Sequence, residues 1–352
     1  MPVNSALAEI DLTAIANNFT KAQSTAPHSK IMAVIKADAY GHGIVPVARR
    51  LEAADAFGVA RLDEGITLRE SGIKTPITLL EGILDSGELA VARQHQLDLV
   101  VHSDHQLAIL TRESGLGIWL KLETGMHRLG LPASRLDQNL AQLKGHKILG
   151  LMSHLANADK REASATESQL QAFLNATRSL SYDKSLANSA GILGHPGTRA
   201  DWNRPGVMLY GATPFADLEP VSSLRAAMTL TAPVIAINQI RKGDTVGYGS
   251  IWRAQSDSRI AILAIGYADG YPREAPMNTP VLVNGERRTL AGRVSMDMLT
   301  IELSEKDGVA VGDSVVLWGK GLPIEEISRC AGTIPYTLMC GVAKRVPRNY
   351  VT

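Results

Sequence analysis

The stretch Ile31-Met32-Ala33-Val34-Ile35-Lys36-Ala37-Asp38-Ala39-Tyr40-Gly41-His42-Gly43 decides the fold. Its first five residues are apolar, a run whose length suits a buried strand. The run ends in a lysine, a Gly-His-Gly turn follows, and an amphipathic pattern begins just beyond. A lysine at the carboxyl end of a buried strand is desolvated, which disfavours its ammonium form and lowers its pKa. In that state a lysine amine serves as a nucleophile. Tyr40, four residues on, is placed to reach an anion beside the same strand end. Taken alone, the stretch also fits a lysine that snorkels from a strand terminus into water, and the flanking sequence has to separate the two readings.

Outward from this stretch one rhythm repeats: a short apolar run, then an amphipathic segment. The apolar runs are Ile31–Ile35, Phe57–Ala60, Ile77–Leu80, Leu99–Val101, Ile118–Leu122, Ile148–Met152, Leu186–Asn188 and Val207–Tyr210. Helical patterns follow around Val45–Ala53, from Asp63, and over Ser86–His95, Asp104–Glu113, Ala133–Leu143 and Ala163–Leu180, with a short piece near Ala190. About eight strand-helix units predict an α/β fold, a parallel (β/α)8 barrel. Asp63, Ser86 and Asp104 stand where helix N-caps are expected. Leu7–Asn18 reads as a strand running into a helix ahead of the barrel.

The pattern changes near Leu224. Strand-like runs follow at Met228–Ile240, Arg259–Gly266, Val281–Val283, Arg288–Val294, Leu299–Leu303 and Ser314–Trp318, with only Ile324–Ala331 helical. Asn284-Gly285 is a type I′ hairpin signal. Two domains are therefore expected, a barrel over residues 1–224 and a mainly β domain over residues 225–352, which suits a chain of 352 residues.

Composition excludes several classes. There are 36 Lys+Arg against 35 Asp+Glu and no basic run, so neither nucleic acid nor a membrane surface is indicated. Two cysteines, Cys330 and Cys340, do not make a disulfide framework. The N-terminus lacks a basic region followed by a long apolar stretch, and no run is long enough to span a bilayer. A cytoplasmic protein is expected.

In a barrel of this kind the site lies at the C-terminal ends of the strands. There stand Lys36 and Tyr40 after strand one, Lys121-Leu122-Glu123-Thr124-Gly125-Met126-His127-Arg128-Leu129-Gly130 at strand five, and Ser153-His154 after strand six. Asn188-Ser189 follow strand seven, and Arg204-Pro205-Gly206-Val207 surround strand eight. The Ser189 hydroxyl with the Gly206 and Val207 backbone N–H groups suits a phosphate. A lysine for an imine, a phosphate cradle and an arginine for a ring nitrogen together point to pyridoxal 5′-phosphate (PLP). Singly, each residue has a plainer reading: Arg128 as a surface residue, His154 as a structural histidine, Arg204 as a salt-bridge partner, Ser189 as a helix cap. Their joint placement favours a site.

These motifs closely resemble those of the alanine racemases of the PLP-dependent fold-type III group. The resemblance runs through Val34–Gly43, Lys121–Gly130, Asn188-Ser189-Ala190 and Arg204–Gly211. In the second domain it rests on Val246-Gly247-Tyr248-Gly249, Gly266–Arg273, Gly292–Asp297 and Ile334-Pro335-Tyr336. It implies an amino-acid racemase, an isomerase, interconverting L- and D-alanine with Lys36 and Tyr248 as bases on opposite faces of Cα. Lys36 would carry the cofactor, Arg204 would face the pyridine nitrogen with His154 behind it, and Arg128 would meet the ring hydroxyl side and the substrate carboxylate. Tyr40, Ser189, Gly206, Val207 and Tyr336 would bind the phosphate, with Asn188 beside them in the cofactor site. Met296, through its N–H, and Asp297 would line the substrate site, and Tyr267 and Arg293 the entrance corridor. Lys121 matches a position carbamylated in some members. The resemblance further implies a homodimer in which the partner supplies Tyr248, Met296 and Asp297, no metal, and a role in supplying D-alanine for peptidoglycan or in degrading it.

Two alternatives share the architecture: a fold-type III racemase of other specificity, serine above all, and an amino-acid decarboxylase. The decarboxylase places an acid at the pyridine nitrogen and carries a longer glycine-rich phosphate loop, whereas this chain has Arg204 and no such loop.

Overall fold

The computed structural model describes residues 5–304 and 307–352; the first four residues of the N-terminal reading lie outside it. The chain forms two compact units. One comprises Ala16–Leu209 and Pro214–Asp217; the other comprises the residues up to Ile15, Tyr210–Thr213 and Leu218–Thr352.

In the first unit the barrel strands are Lys30–Val34, Ala56–Val59, Ile77–Leu79, Leu97–Val101, Gly117–Glu123, Lys147–Met152, Lys184–Ser185 and Trp202–Asn203, with the short Leu131–Pro132 paired onto Gly117–Glu123 outside the ring. Each pairs in parallel with the next, and Trp202–Asn203 pairs back onto Lys30–Val34, closing a barrel of eight strands. Parallel neighbours need long crossovers, and helices such as Leu62–Glu70, Ser86–Gln94 and Ser164–Thr177 supply them. The interior is filled: Met32, Ala56, Val100, Trp119 and Met152 form one apolar cluster with Leu80, Leu149 and Trp202 against it. Trp119 meets Trp202 edge to face at 5.5 Å between ring centroids, an arrangement that ring quadrupoles favour. With the middle of the barrel packed, chemistry is left to the strand ends.

Some expectations are corrected here. Val207–Tyr210 is a 3-10 turn, and the eighth strand is Trp202–Asn203. The seventh is Lys184–Ser185, ahead of the expected Leu186–Asn188. Each pairs over two residues, too few for an apolar run to reveal. Two caps lie one residue earlier than expected: Asp85 accepts from the Glu88 N–H at 2.8 Å and Ser103 from the Gln106 N–H at 3.4 Å. Both have the extended backbone that an N-cap requires, while Ser86, Asp104 and Asp63 sit in the first turns of their helices.

The second unit is built on Met228–Ile240, whose first half alternates buried and half-buried residues. That half pairs with Ser314–Trp318 and with Leu7–Asp11, while the second half pairs with Ser258–Leu263, which pairs in turn with Leu299–Leu303. Pro280–Val283 and Glu286–Thr289 form the expected hairpin, with Asn284 and Gly285 at φ 52° and 84° as a type I′ turn requires. Leu7–Asp11 also pairs in parallel with Arg348–Val351, so the first strand joins the β unit and not the barrel expected for residues 1–224. Its alternation, with Ala8 and Ile10 fully buried, suits a sheet with one buried face better than a barrel strand buried on both. A second helix, Pro335–Gly341, opens on a proline in its first turn; the sequence reading placed no helix there.

Truncating Trp119 to alanine should empty the barrel centre and lower stability by about 3–5 kcal/mol. The denaturant midpoint of the barrel unit reads this; a loss below about 1 kcal/mol would show that the interior collapses around the gap.

Candidate active site

Lys36 emerges from the barrel where the chain turns abruptly. Ala37, Asp38, Ala39 and Tyr40 all lie at φ 53°, a left-handed turn made of non-glycine residues. L-residues adopt this conformation singly and at a cost, so the surroundings must impose it. Gly41 and Gly43 carry the positive φ onward. The Asp38 carboxylate accepts the Ile44 N–H at 2.7 Å, and the fully buried His42 sets Nδ1 3.0 Å from the carbonyls of Ala39 and Tyr40. The Ala37 N–H donates to Glu64 Oε1 at 2.5 Å.

Arg204 follows the eighth strand and is buried. Its guanidinium donates to Ser185 Oγ and the Ser153 carbonyl at 2.5 Å each, to the Leu186 carbonyl at 3.3 Å and to His154 Nδ1 at 3.4 Å. Arginine has only donors, so Nδ1 of His154 is the acceptor and carries no proton. The imidazole is held well below the usual histidine range, first by desolvation, then by Arg204, Lys121, Arg128 and Lys36. It therefore stays neutral, and Arg204 itself is lowered to about 10 by burial.

Lys121, on strand five, is buried and lowered to about 8, first by desolvation, then by Arg204, Arg128 and Lys36, with Glu123 opposing. Arg128 is exposed on the loop beyond this strand. The Glu123 carboxylate shapes that loop by accepting the N–H groups of Gly125, Met126 at 2.8 Å and His127 at 2.9 Å. Burial alone would raise the Glu123 pKa, but these three donors hold it below its ordinary value. Gly130, at φ 145°, passes so close to Glu123 that a Cβ there would lie 2.6 Å from the Glu123 backbone nitrogen.

Ser189 draws in the backbone that follows strand eight. Ser189 Oγ accepts the Gly206 N–H at 2.8 Å and the Met208 N–H at 3.3 Å. A Cβ on Gly206 would lie 2.6 Å from Tyr40 Oη, so glycine there lets the phenol reach the turn. Val207 is buried at the start of that turn. Asn188 is occupied as the N-cap of Ser189–Gly194, its Oδ1 accepting the Gly191 N–H at 2.9 Å. The sequence reading missed Met208, and also Gln169, a buried mid-helix residue that looked merely amphipathic. Gln169 ties the loops after strands five and six by accepting the Ala156 N–H at 2.7 Å and donating to the His154 carbonyl at 3.1 Å and to Thr124 Oγ1 at 3.4 Å.

The β unit holds the remaining residues. Tyr248 is 72% exposed and Met296 54% exposed, with Ile251, Tyr267 and Met298 also exposed. The Tyr267 and Ala268 N–H groups bond the carbonyls of Ser295 and Met296 at 3.0 and 2.9 Å, and Gly249 approaches the Arg293 guanidinium. Arg345 donates to both Asp269 and Asp297 at 2.7 Å, which fixes Asp297 on that surface. Tyr336 stands in the first turn of Pro335–Gly341. Among the described residues no cluster of His, Cys, Asp and Glu could hold a metal ion.

Residues 10–214 match the family model "Alanine racemase, N-terminal domain" and residues 227–350 match "Alanine racemase, C-terminal domain". A relative from Nitrosococcus oceani named alanine racemase is 47% identical over 99% of both chains. The crystal structure of biosynthetic alanine racemase from Pseudomonas aeruginosa is similar with a TM-score of 0.94 at 44% identity, covering 99% of this chain and 100% of that one. That of alanine racemase from Bartonella henselae with covalently bound pyridoxal phosphate gives 0.91 at 30% identity, covering 99% of each.

Lys121 yields a test of the site's electrostatics. Its folded-state pKa lies below the unfolded one, so the charged amine destabilises the fold below about pH 8, and the penalty fades as pH rises towards 10.5. Lys121→Met should therefore raise stability by up to about 3 kcal/mol at neutral pH. Denaturation of both proteins across this pH range should show the gain shrinking above pH 8; a gain independent of pH would contradict the assignment.

Proposed function

The chain belongs to the alanine racemase family and is an amino-acid racemase, and on that premise we propose that it interconverts L- and D-alanine on PLP, with Lys36 and Tyr248 as the two bases. The observation that carries this reading is the gathering of Lys36, Lys121, Arg128 and Arg204 around a neutral His154 at one end of the barrel. Racemisation removes a proton from one face of Cα and returns one to the other, and two fixed bases do this without turning the substrate.

The residues fit the cofactor. The Ser189, Gly206 and Tyr40 cradle suits its phosphate, as glycine at 206 keeps clear the space that a Cβ would fill against Tyr40; Val207 and Tyr336 complete the phosphate set, and Asn188 supports Ser189. The cofactor supplies the electron sink that acidifies the Cα proton. Arg204 would face the pyridine nitrogen of a bound cofactor, and because arginine keeps its charge it would leave that nitrogen unprotonated. His154, neutral, accepts from Arg204 and holds its plane. Arg128 would pair with the substrate carboxylate, while Met296, by its N–H, and Asp297 would serve to exclude larger side chains.

Two further roles rest on the same reading. A pKa of about 8 makes the neutral amine of Lys121 accessible near neutral pH; it would add through Nζ to carbon dioxide with release of a proton, and the carbamate would set a negative charge near Arg128 and Arg204. Tyr248, Ile251, Met296 and Met298 are all exposed on this protomer, and their exposure supports a homodimer in which Tyr248 would serve the partner's barrel.

Holoenzyme given L-alanine in deuterated water should lose optical rotation in step with deuterium gain at Cα, and Lys36→Ala should do neither. Tyr248→Phe should cut racemisation by about 10²–10⁴-fold yet still exchange the Cα proton of one enantiomer without inverting it. Carbon dioxide release would identify a decarboxylase, and equal loss of exchange from both enantiomers in Tyr248→Phe would contradict the two-base assignment.

A further inference from the structure

We infer that Glu64 is a positioning residue for Lys36, an inference that rests on the reading of Lys36 as the cofactor-bearing base. Glu64 lies in the first turn of Leu62–Glu70, after barrel strand two. Its Oε2 accepts the N–H groups of Ala60 at 2.8 Å and Arg61 at 3.2 Å, which is ordinary helix capping. Its other oxygen crosses to the end of strand one and accepts the Ala37 N–H at 2.5 Å. One carboxylate thus joins two neighbouring strand ends, one of them at the residue after Lys36.

The bond bears directly on where Lys36 points. The peptide between Lys36 and Ala37 is planar, so holding the Ala37 N–H fixes that plane and with it ψ of Lys36. It also holds the entry to a turn in which four successive non-glycine residues are left-handed, from Ala37 to Tyr40. Such a turn persists only where its surroundings over-determine it. The far end is held by the Asp38 carboxylate on Ile44 N and by buried His42; at the near end Glu64 grips the Ala37 N–H. Ala37 is exposed, so water would take the place of the lost acceptor, and the near end would loosen while the barrel stays folded. Lys36 and Tyr40 share the turn, and its loosening would move the amine relative to the phosphate cradle.

The test compares holoenzymes carrying Glu64→Gln, Glu64→Ala and Glu64→Asp with Asp63→Ala, which weakens the same helix end without reaching Ala37. Displacing a reacting group by about 1 Å costs up to about 10²-fold in rate. Glu64→Gln and Glu64→Ala should therefore lower kcat at least about tenfold with KM for L-alanine within about twofold. Glu64→Asp, which keeps the charge, should recover part of the loss. Hydrogen exchange of residues 36–44 should quicken in the apo and holo forms, with residues 62–70 changing no more than in Asp63→Ala. An unchanged kcat, or a fall that merely follows melting temperature as in Asp63→Ala, would overturn the inference. Lys36→Ala is run in parallel: activity there would instead refute the reading of Lys36, whereas an inactive Lys36→Ala beside a normal Glu64→Gln would refute the role of Glu64 alone.

Discussion

Desolvated positive charge at one end of the barrel governs this molecule. Lys36, Lys121, Arg128 and Arg204 stand close enough for their fields to depress Lys121 and His154 together. A buried cation is costly unless paired. The hydrogen bonds of Arg204 go to a hydroxyl, two carbonyls and a neutral imidazole, none of which carries charge. A mouth built this way is stabilised by an anionic occupant, and the proposed phosphorylated cofactor with a carboxylate substrate would supply the missing charge. Burial first, and then the same field, keep His154 neutral, so the hydrogen bond that holds Arg204 keeps its direction at neutral pH.

Three carboxylates on the loops at these strand ends are turned towards the backbone. Glu64 grips the N–H groups of Ala37, Ala60 and Arg61; Glu123 grips those of Gly125, Met126 and His127; Asp38 grips that of Ile44. Such bonds shape the loops that carry Lys36 and Arg128, and they draw the acids' hydrogen bonding away from the cationic groups. A direct ion pair would have fixed the side chains equally well, at the expense of their affinity for an anion. Placing this on barrel strand ends adds rigidity, because each loop starts from a strand paired on both sides.

Much of this was legible in the chain. Apolar runs of strand length revealed the barrel because both faces of its strands are buried, and Lys36 stood out because a cation ending such a run is unusual. Asn284-Gly285 announced its hairpin because its two positive φ angles suit few other residues. What escaped detection lacked a local signature. Trp202–Asn203 is too short to show a pattern, and Leu7–Asp11, legible as a strand, gave no sign of its sheet partners, which lie more than two hundred residues away. The left-handed turn after Lys36 uses Ala, Asp and Tyr, none of which signals that conformation as glycine would. Glu64 and Glu123 looked like ordinary acids, since a side chain's choice of backbone partner is settled only when loops from different strands converge. Two of the residues expected in the cofactor site carry bonds of their own: Asn188 caps the helix that opens at Ser189, and Gly206 donates to the Ser189 hydroxyl.

The central assignment is that Lys36, and not the more deeply buried Lys121, bears the cofactor. Both amines stand at the barrel mouth, and Lys121 has the lowered pKa of about 8. The deciding measurement is borohydride reduction of the PLP-loaded protein followed by peptide mass mapping. The expected result is one pyridoxyl adduct, on the peptide containing Lys36, with Lys121 unmodified by the cofactor. An adduct on Lys121, or one divided between the two lysines, would contradict it.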